Sequence, residues 1–230
     1  MTSPLALNAN ARIATRHFGE ERQPLIEVDD ALIDADLVID IAARHRFARH
    51  GEFYPGIRAP VSEAISMPLV EPLLPRIVEE FALARPPRYR ECYLSLVTRA
   101  PSSLAPIQRL PHFDGVEQDR IAVLLYLDRA ERGGTRFYRQ RATGFESVDA
   151  TRFETYRSKL EDGIDKSGLP AANYISGDTE LFEKINRIDG RFNSIAIYRG
   201  NTLHCADLPG DFTPDPDPRT GRLTLNLFLS

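Results

Sequence analysis

Two spacings of apolar residues divide the chain. From Asp29 to about Arg49, Leu32, Ile33, Leu37, Ile39, Ile41 and Ala43 recur with acids early and arginines late, which predicts a helix capped by Asp29 or Asp30. A second helical region is expected from Ser62, followed by Glu63, to about Leu83, with Pro68, Pro72 and Pro75 starting or kinking its turns. After Pro86-Pro87 the character changes to strand-like runs, of which Arg120–Asp128 is rich in Val, Ile, Leu and Tyr. Strands are predicted at Arg90–Val97, Arg120–Asp128, Thr135–Tyr138, 194–199 and 222–229. The last alternates, with Arg222, Thr224, Asn226 and Phe228 on one face and four leucines on the other.

The remaining stretches carry weaker patterns. Residues 1–28 show no sustained period, although Ile13, Ile26 and Val28 suit short strands. Residues 53–60 read as a turn-rich connector because of Pro55-Gly56 and Pro60. Between Arg139 and Arg191 lies an insertion with helices expected at Thr151–Leu160 and Asp178–Ile188, punctuated by Gly163, Gly168, Pro170 and Gly177. Such an excursion serves either as a lid over a site or as a helical cover on a sheet. Pro209–Gly221 is a loop inside the domain, because a core strand follows it. The expectation is one domain over 1–230: a helical support at 1–89, and a mostly β core at 90–230 carrying an insertion at 140–191.

Composition narrows the classes. A formal net charge of -4 with acids and bases interspersed offers no basic stripe, so no nucleic-acid partner is expected. No charged start precedes an apolar core at the N-terminus, and no apolar run nears the roughly 20 residues that span a bilayer. A cytoplasmic protein without a membrane partner is expected. Cys92 and Cys205 make no disulfide framework and read as reduced core thiols.

Chemistry concentrates in Leu110-Pro-His-Phe-Asp-Gly115. If this stretch is extended, His112 and Asp114 point to one face. They would supply two ligands of a two-histidine, one-carboxylate triad, the site type of non-haem Fe(II) with open positions. His204 is the only histidine downstream to complete it. The plainer reading is an imidazole hydrogen-bonded to Asp114 with no metal. Arg222 and Thr224 share a strand face, where a permanent guanidinium suits bidentate pairing with a carboxylate. The alternative there is a surface arginine on an edge strand.

The ordered set of His112-x-Asp114, Tyr126-Leu-Asp128, Gly133-Gly134, Gly200-Asn-Thr-Leu-His204 and Arg222-Leu-Thr224 resembles the Fe(II)/2-oxoglutarate-dependent oxygenases, above all their prolyl-hydroxylase branch. The resemblance covers residues 90–230, and the whole chain is similar to a bacterial family grouped with that superfamily. It implies a double-stranded β-helix, or jelly roll, with flanking N-terminal helices. It also implies Fe(II) on His112, Asp114 and His204, and 2-oxoglutarate with its C5 carboxylate on Arg222, Thr224 and Tyr126. O2 would be the oxidant, and the outcome hydroxylation of a small-molecule or peptidyl substrate. Two rivals stay open: a cupin-like metal protein that does not use 2-oxoglutarate, and a non-catalytic binding module. Whether the chain forms a homodimer is not established by its sequence.

Other polar residues are assigned to the surface or core. His17, His45 and His50 lack ligand-spaced partners, and Arg136 and Arg191 read as solvated. Gly133-Gly134 is followed by no Gly-Lys-Ser pattern, and no Ser-His-Asp order with an elbow motif occurs.

Overall fold

The structure is a computed structural model, and it describes residues 3–230. Its organising feature is a seven-stranded antiparallel sheet. In chain order the strands are β1 (Arg12–Phe18), β2 (Gln23–Asp29), β3 (Gly56–Pro60), β4 (Tyr89–Val97), β5 (Ile121–Tyr126), β6 (Thr135–Gln140), β7 (Phe182–Ile188), β8 (Ser194–Arg199), β9 (His204–Ala206) and β10 (Leu223–Leu229). The large sheet runs β1-β2-β8-β5-β10-β4-β3, and a second sheet runs β7-β6-β9.

The period-two pattern explains how the large sheet is used on both faces. Leu223, Leu225, Leu227 and Leu229 point one way and join Ile121, Val123, Leu125, Ile195 and Ile197 in the main core. Helices cover this face: α1 (Ala35–Ala42) contributes Val38 and Ile39, and α3 (Leu74–Glu80) contributes Ile77. The opposite face meets the small sheet, with Phe137 and Ile188 packed against Ala122, Tyr126, Ala196, Tyr198 and Phe228. Along this face the large sheet is polar at Arg58, Ser95 and Thr224, which lie level across β3, β4 and β10. A purely apolar sandwich would not tolerate that row, so this part of the face is polar in character.

Several expectations need correction. The first helix is only eight residues long and starts at its cap Asp34, whose side chain accepts the N–H of Leu37 at 2.9 Å. Asp29 instead ends β2, and Asp30 adopts a φ of 54° at the turn. The region 62–83 is helical but broken into α2 (Glu63–Ser66), two 3-10 turns holding Pro68 and Pro72, and α3 with Pro75 in its first turn. Proline lacks the N–H that would continue each turn. The 1–89 portion is not purely helical, because β1 and β2 form a full hairpin and β3 pairs with β4. β3 replaces most of the connector expected at 53–60; its closing Pro60 is tolerable because β3 is an edge strand.

In the insertion, α4 (Phe153–Ser167) is the expected first helix, displaced toward the C-terminus and longer. Asp178–Ile188 is not a helix. Its second half is β7, which pairs with β6 and completes the small sheet. Phe182, Ile185 and Ile188 are three apart, a helical spacing, and pairing with β6 overrode it.

Candidate metal centre

His112 and His204 come together through the backbone. They form an isolated antiparallel bridge, each N–H donating to the other's carbonyl at 2.8 Å. The Asp114 N–H donates to the carbonyl of Gly200 at 2.7 Å. Gly200 is needed there, since a Cβ on it would lie 2.9 Å from the Arg120 side chain and 3.4 Å from the Cβ of Asp114. The intervening side chain, Phe113, turns outward and packs edge-on against Tyr156 and Phe153 of α4, with ring centroids 5.8 Å and 6.3 Å apart. Thus the insertion helix braces the ligand segment from behind, while His112 and Asp114 face inward.

One donor atom from each of His112, Asp114 and His204 lies within 4.8 Å of the others. His112 Nε2 is 3.9 Å from Asp114 Oδ1, and His204 Nε2 is 3.6 Å from Asp114 Oδ2. Three donors about 2.1 Å from one ion at right angles are about 3 Å apart, so small side-chain rotations suffice. His204 Nδ1 lies 2.8 Å from the Thr202 carbonyl. A carbonyl only accepts, so Nδ1 carries the proton and Nε2 keeps its lone pair toward Asp114. Asp114 Oδ2 is buried without a hydrogen-bond partner.

The electrostatics follow from the cleft. About half of the His112 side chain (53 %) is open to solvent, while its ring packs against His204. Desolvation, followed by the neighbouring His204 and Arg58, holds the imidazole well below its usual pKa, in the neutral form a metal needs. Burial raises the Asp114 carboxyl, against the opposing pull of His204, Arg58 and Arg120. An unpartnered buried carboxylate between two imidazoles, one of them tautomerically fixed, fits a divalent cation.

Arg222 immediately precedes β10, which lies between β5 and β4, so it is not on an edge strand. It is 4 % exposed, and among the described residues it has no carboxylate partner. Its Nε and Nη2 donate to the carbonyls of Gly133 and Gly134 at 3.1 and 2.8 Å. Gly133 has a φ of 111°, and a Cβ there would overlap the Asp207 carbonyl, so only glycine permits this turn. Thr224 stands opposite Tyr126 in the register. Thr224 Oγ1 donates to Asn226 Oδ1 at 2.7 Å, and the Tyr126 hydroxyl lies 2.7 Å from Thr135 Oγ1. Burial pushes the Tyr126 phenol up to about 12, against the Thr135 bond and the charge of Arg222.

The sequence missed the residues between these groups. Tyr54, Ser95 and Tyr198 have buried oxygens without partners. Burial raises the Tyr54 phenol while Arg58 and Arg222 both pull it down, so this ring lies in the field of two guanidiniums. Tyr198 stacks edge-on against His204, with centroids 4.9 Å apart. A run of unsatisfied hydroxyls therefore accompanies the path from Asp114 toward Arg222. Ser95 and Tyr198 lie on strands that the sequence located, but short hydroxyl side chains carry no motif. Tyr54 and Arg58 lie in the stretch taken for a connector.

The demoted residues are mixed. Cys92 and Cys205 are buried, and burial pushes both thiols up to about 12. Cys205 faces Tyr138 and Leu203, away from the side of its neighbour His204. Arg136 is not solvated; it is largely covered and pairs with Asp207 at 2.5 Å. Arg191 is exposed and pairs with Asp29 at 3.4 Å. His50 lies 3.0 Å from the Tyr93 hydroxyl.

Fold and site together define a mostly β protein with an inward-facing cluster of two histidines and one carboxylate. The chain belongs to a family of unknown function, DUF6445, whose model matches residues 9–229. No curated protein matches it. Among solved structures it is similar to HygX from Streptomyces hygroscopicus with nickel, 2-oxoglutarate and hygromycin B bound, at 12 % identity over 91 % of this chain and 84 % of that one, TM-score 0.49. It is also similar to SnoN, the non-haem α-ketoglutarate-dependent epimerase from nogalamycin biosynthesis, at 15 % identity over 91 % and 78 %, TM-score 0.45. A third is an N-substituted L-amino acid dioxygenase from Burkholderia ambifaria AMMD, at 9 % identity over 95 % and 94 %, TM-score 0.46. No helix among the described residues is long and apolar enough to cross a membrane.

Proposed function

We propose that this chain is an Fe(II)- and 2-oxoglutarate-dependent oxygenase, a hydroxylase of a small-molecule or peptidyl substrate, whose two sheets form a double-stranded β-helix. The observation that carries this reading is a buried guanidinium, Arg222, without a counter-ion among the described residues, in a chain that also gathers His112, Asp114 and His204 into one cluster. A buried charge is tolerated when it is paired, and two neutral carbonyls are not an opposite charge. A dicarboxylate with one end at the histidine cluster and the other at Arg222 would supply it.

In this reading His112, Asp114 and His204 hold Fe(II), and Arg222 receives the C5 carboxylate of 2-oxoglutarate through the N–H groups not committed to Gly133 and Gly134. The Thr224 and Tyr126 hydroxyls, now bonded to Asn226 and Thr135, would add hydrogen bonds by exchanging those partners. When bound, iron and 2-oxoglutarate together supply the activation of O2 that a side chain cannot perform. The chain's own part is to fix the ligands, keep the His112 and His204 nitrogens unprotonated, and surround the reacting centre with Phe137 and Tyr198.

The test is succinate formation from 2-oxoglutarate with Fe(II) in air, without added substrate. Slow uncoupled turnover is expected in the wild type, none in His204→Ala, and none in Arg222→Gln despite retained metal binding. A wild type that binds metal but neither binds nor turns over 2-oxoglutarate would favour a cupin-like protein. One that binds 2-oxoglutarate without ever producing succinate would favour a binding module.

A further inference from the structure

A second cation on the same sheet face is left over. Arg58 lies on the inward face of β3, because its neighbours Ile57 and Ala59 point to the leucine core and its register partner Ser95 lies opposite Thr224. Its guanidinium carbon is 4.1 Å from the centre of the Tyr54 ring and 5.2 Å from that of Tyr93. Tyr93 is itself held, donating its hydroxyl to Glu91 Oε2 at 3.0 Å. Arg58 Nε is buried without a partner, and among the described residues Arg58 makes no salt bridge. Two aromatic faces stabilise a cation but leave its in-plane N–H donors unspent. A guanidinium clamped in orientation, with its donor edge unsatisfied, is built to receive a planar or tetrahedral anion.

That anion is not the co-substrate's under the reading above, on which this inference rests. A dicarboxylate has two charged ends, one for the metal and one for Arg222. Both guanidiniums act on the Tyr54 ring, which Arg58 covers at 4.1 Å, and Arg58 is the one of the two that also acts on His112 and Asp114. We infer that Arg58, held between Tyr54 and Tyr93, is the recognition group for an acidic substrate, binding its carboxylate or phosphate beside the metal centre. The rim agrees with an organic acid. Phe53 is 75 % exposed one residue before Tyr54, and Ile107 is also exposed, on a turn tied to Phe53 through Gln108.

The experiment uses Zn(II)-loaded protein saturated with 2-oxoglutarate and labelled with 15N-arginine. Phenylacetate, phenyl phosphate and the neutral phenylacetamide serve as probes. One of the two anions should move the Arg58 Nε–H resonance saturably, which also distinguishes a carboxylate from a phosphate site, and phenylacetamide should not. Arg58→Gln should weaken that anion about tenfold or more, as expected for loss of a charge-assisted bond, while 2-oxoglutarate still stabilises the protein. The inference is overturned if Arg58→Gln abolishes stabilisation by 2-oxoglutarate, or if neither anion moves the resonance, or if the amide moves it equally. If Arg58→Gln does not fold, the wild-type titration decides alone. Absence of any 2-oxoglutarate effect on the wild type contradicts the oxygenase reading instead, and the anion titration of the Zn(II) form then still reports on Arg58.

Discussion

The rings of His112 and His204 lie 4.4 Å apart, centroid to centroid, because their residues are directly opposed in a two-bond antiparallel bridge. The pairing brings a ligand from a loop before β5 to one that opens β9, so backbone hydrogen bonds, rather than side-chain contacts, preset the site. The cluster should therefore be nearly formed before metal arrives.

Metal binding should raise stability by linkage. At a hundredfold excess of Ni(II) over its dissociation constant, the wild type should gain about 2.7 kcal/mol. His112→Ala, Asp114→Ala and His204→Ala should each lose most of that gain. Thermal unfolding with and without Ni(II) checks this. Equal stabilisation of the wild type and all three variants would mean that the ion binds elsewhere.

The helix behind the ligand segment should matter without touching metal. Phe113→Ala removes the edge contacts to Tyr156 and Phe153 and should destabilise the fold by up to about 3 kcal/mol. It should also weaken Ni(II) affinity measured well below the melting temperature, because His112 and Asp114 flank the lost ring. Unchanged affinity would make α4 a cover only.

Asp149 starts the turn into α4, accepting the N–H groups of Thr151 and Arg152 and the Thr151 hydroxyl. The Thr151 and Gln118 side chains lower its pKa from 3.8 to about 2. Its folded pKa lies below the unfolded one, so its contribution is complete above about pH 3.8 and disappears as pH falls toward 2. Asp149→Ala should cost about 1 kcal/mol at pH 7, and the difference from wild type should shrink across that acid window. Denaturant melts at several pH values measure it.

Glu146 is fully buried and accepts from the backbone of Glu20 and Glu21 and from the Arg139 guanidinium. Glu146→Ala strands the two backbone donors, while Arg139 keeps Glu20 and Glu183, and should cost about 2–3 kcal/mol, seen as a fall in the denaturation midpoint. A change below about 1 kcal/mol would show that water replaces the carboxylate there.

Where side chains alternate over a full strand, the sequence was legible. β10 announces itself in this way, β5 by its apolar run, and the order of His112, Asp114, His204 and Arg222 along the chain could be read from residue type. The failures were short or ambiguous. β3 has five residues and ends in proline, so its pairing with β4 is visible only in three dimensions. β7 carries its apolar residues Phe182, Ile185 and Ile188 at a helical spacing of three. Arg58 was hidden for the same reason as its strand: a lone arginine beside Pro-Gly signals a loop until a sheet aligns it with Ser95 and Thr224. Arg136 was read as solvated because its partner Asp207 is distant in sequence.

The central claim is that His112, Asp114 and His204 hold a metal that 2-oxoglutarate chelates. Anaerobic addition of Fe(II) and 2-oxoglutarate to metal-free protein tests it most directly. The account predicts a visible charge-transfer band that requires both components and disappears in His112→Ala. No band in the wild type, or an undiminished band in that variant, would contradict it.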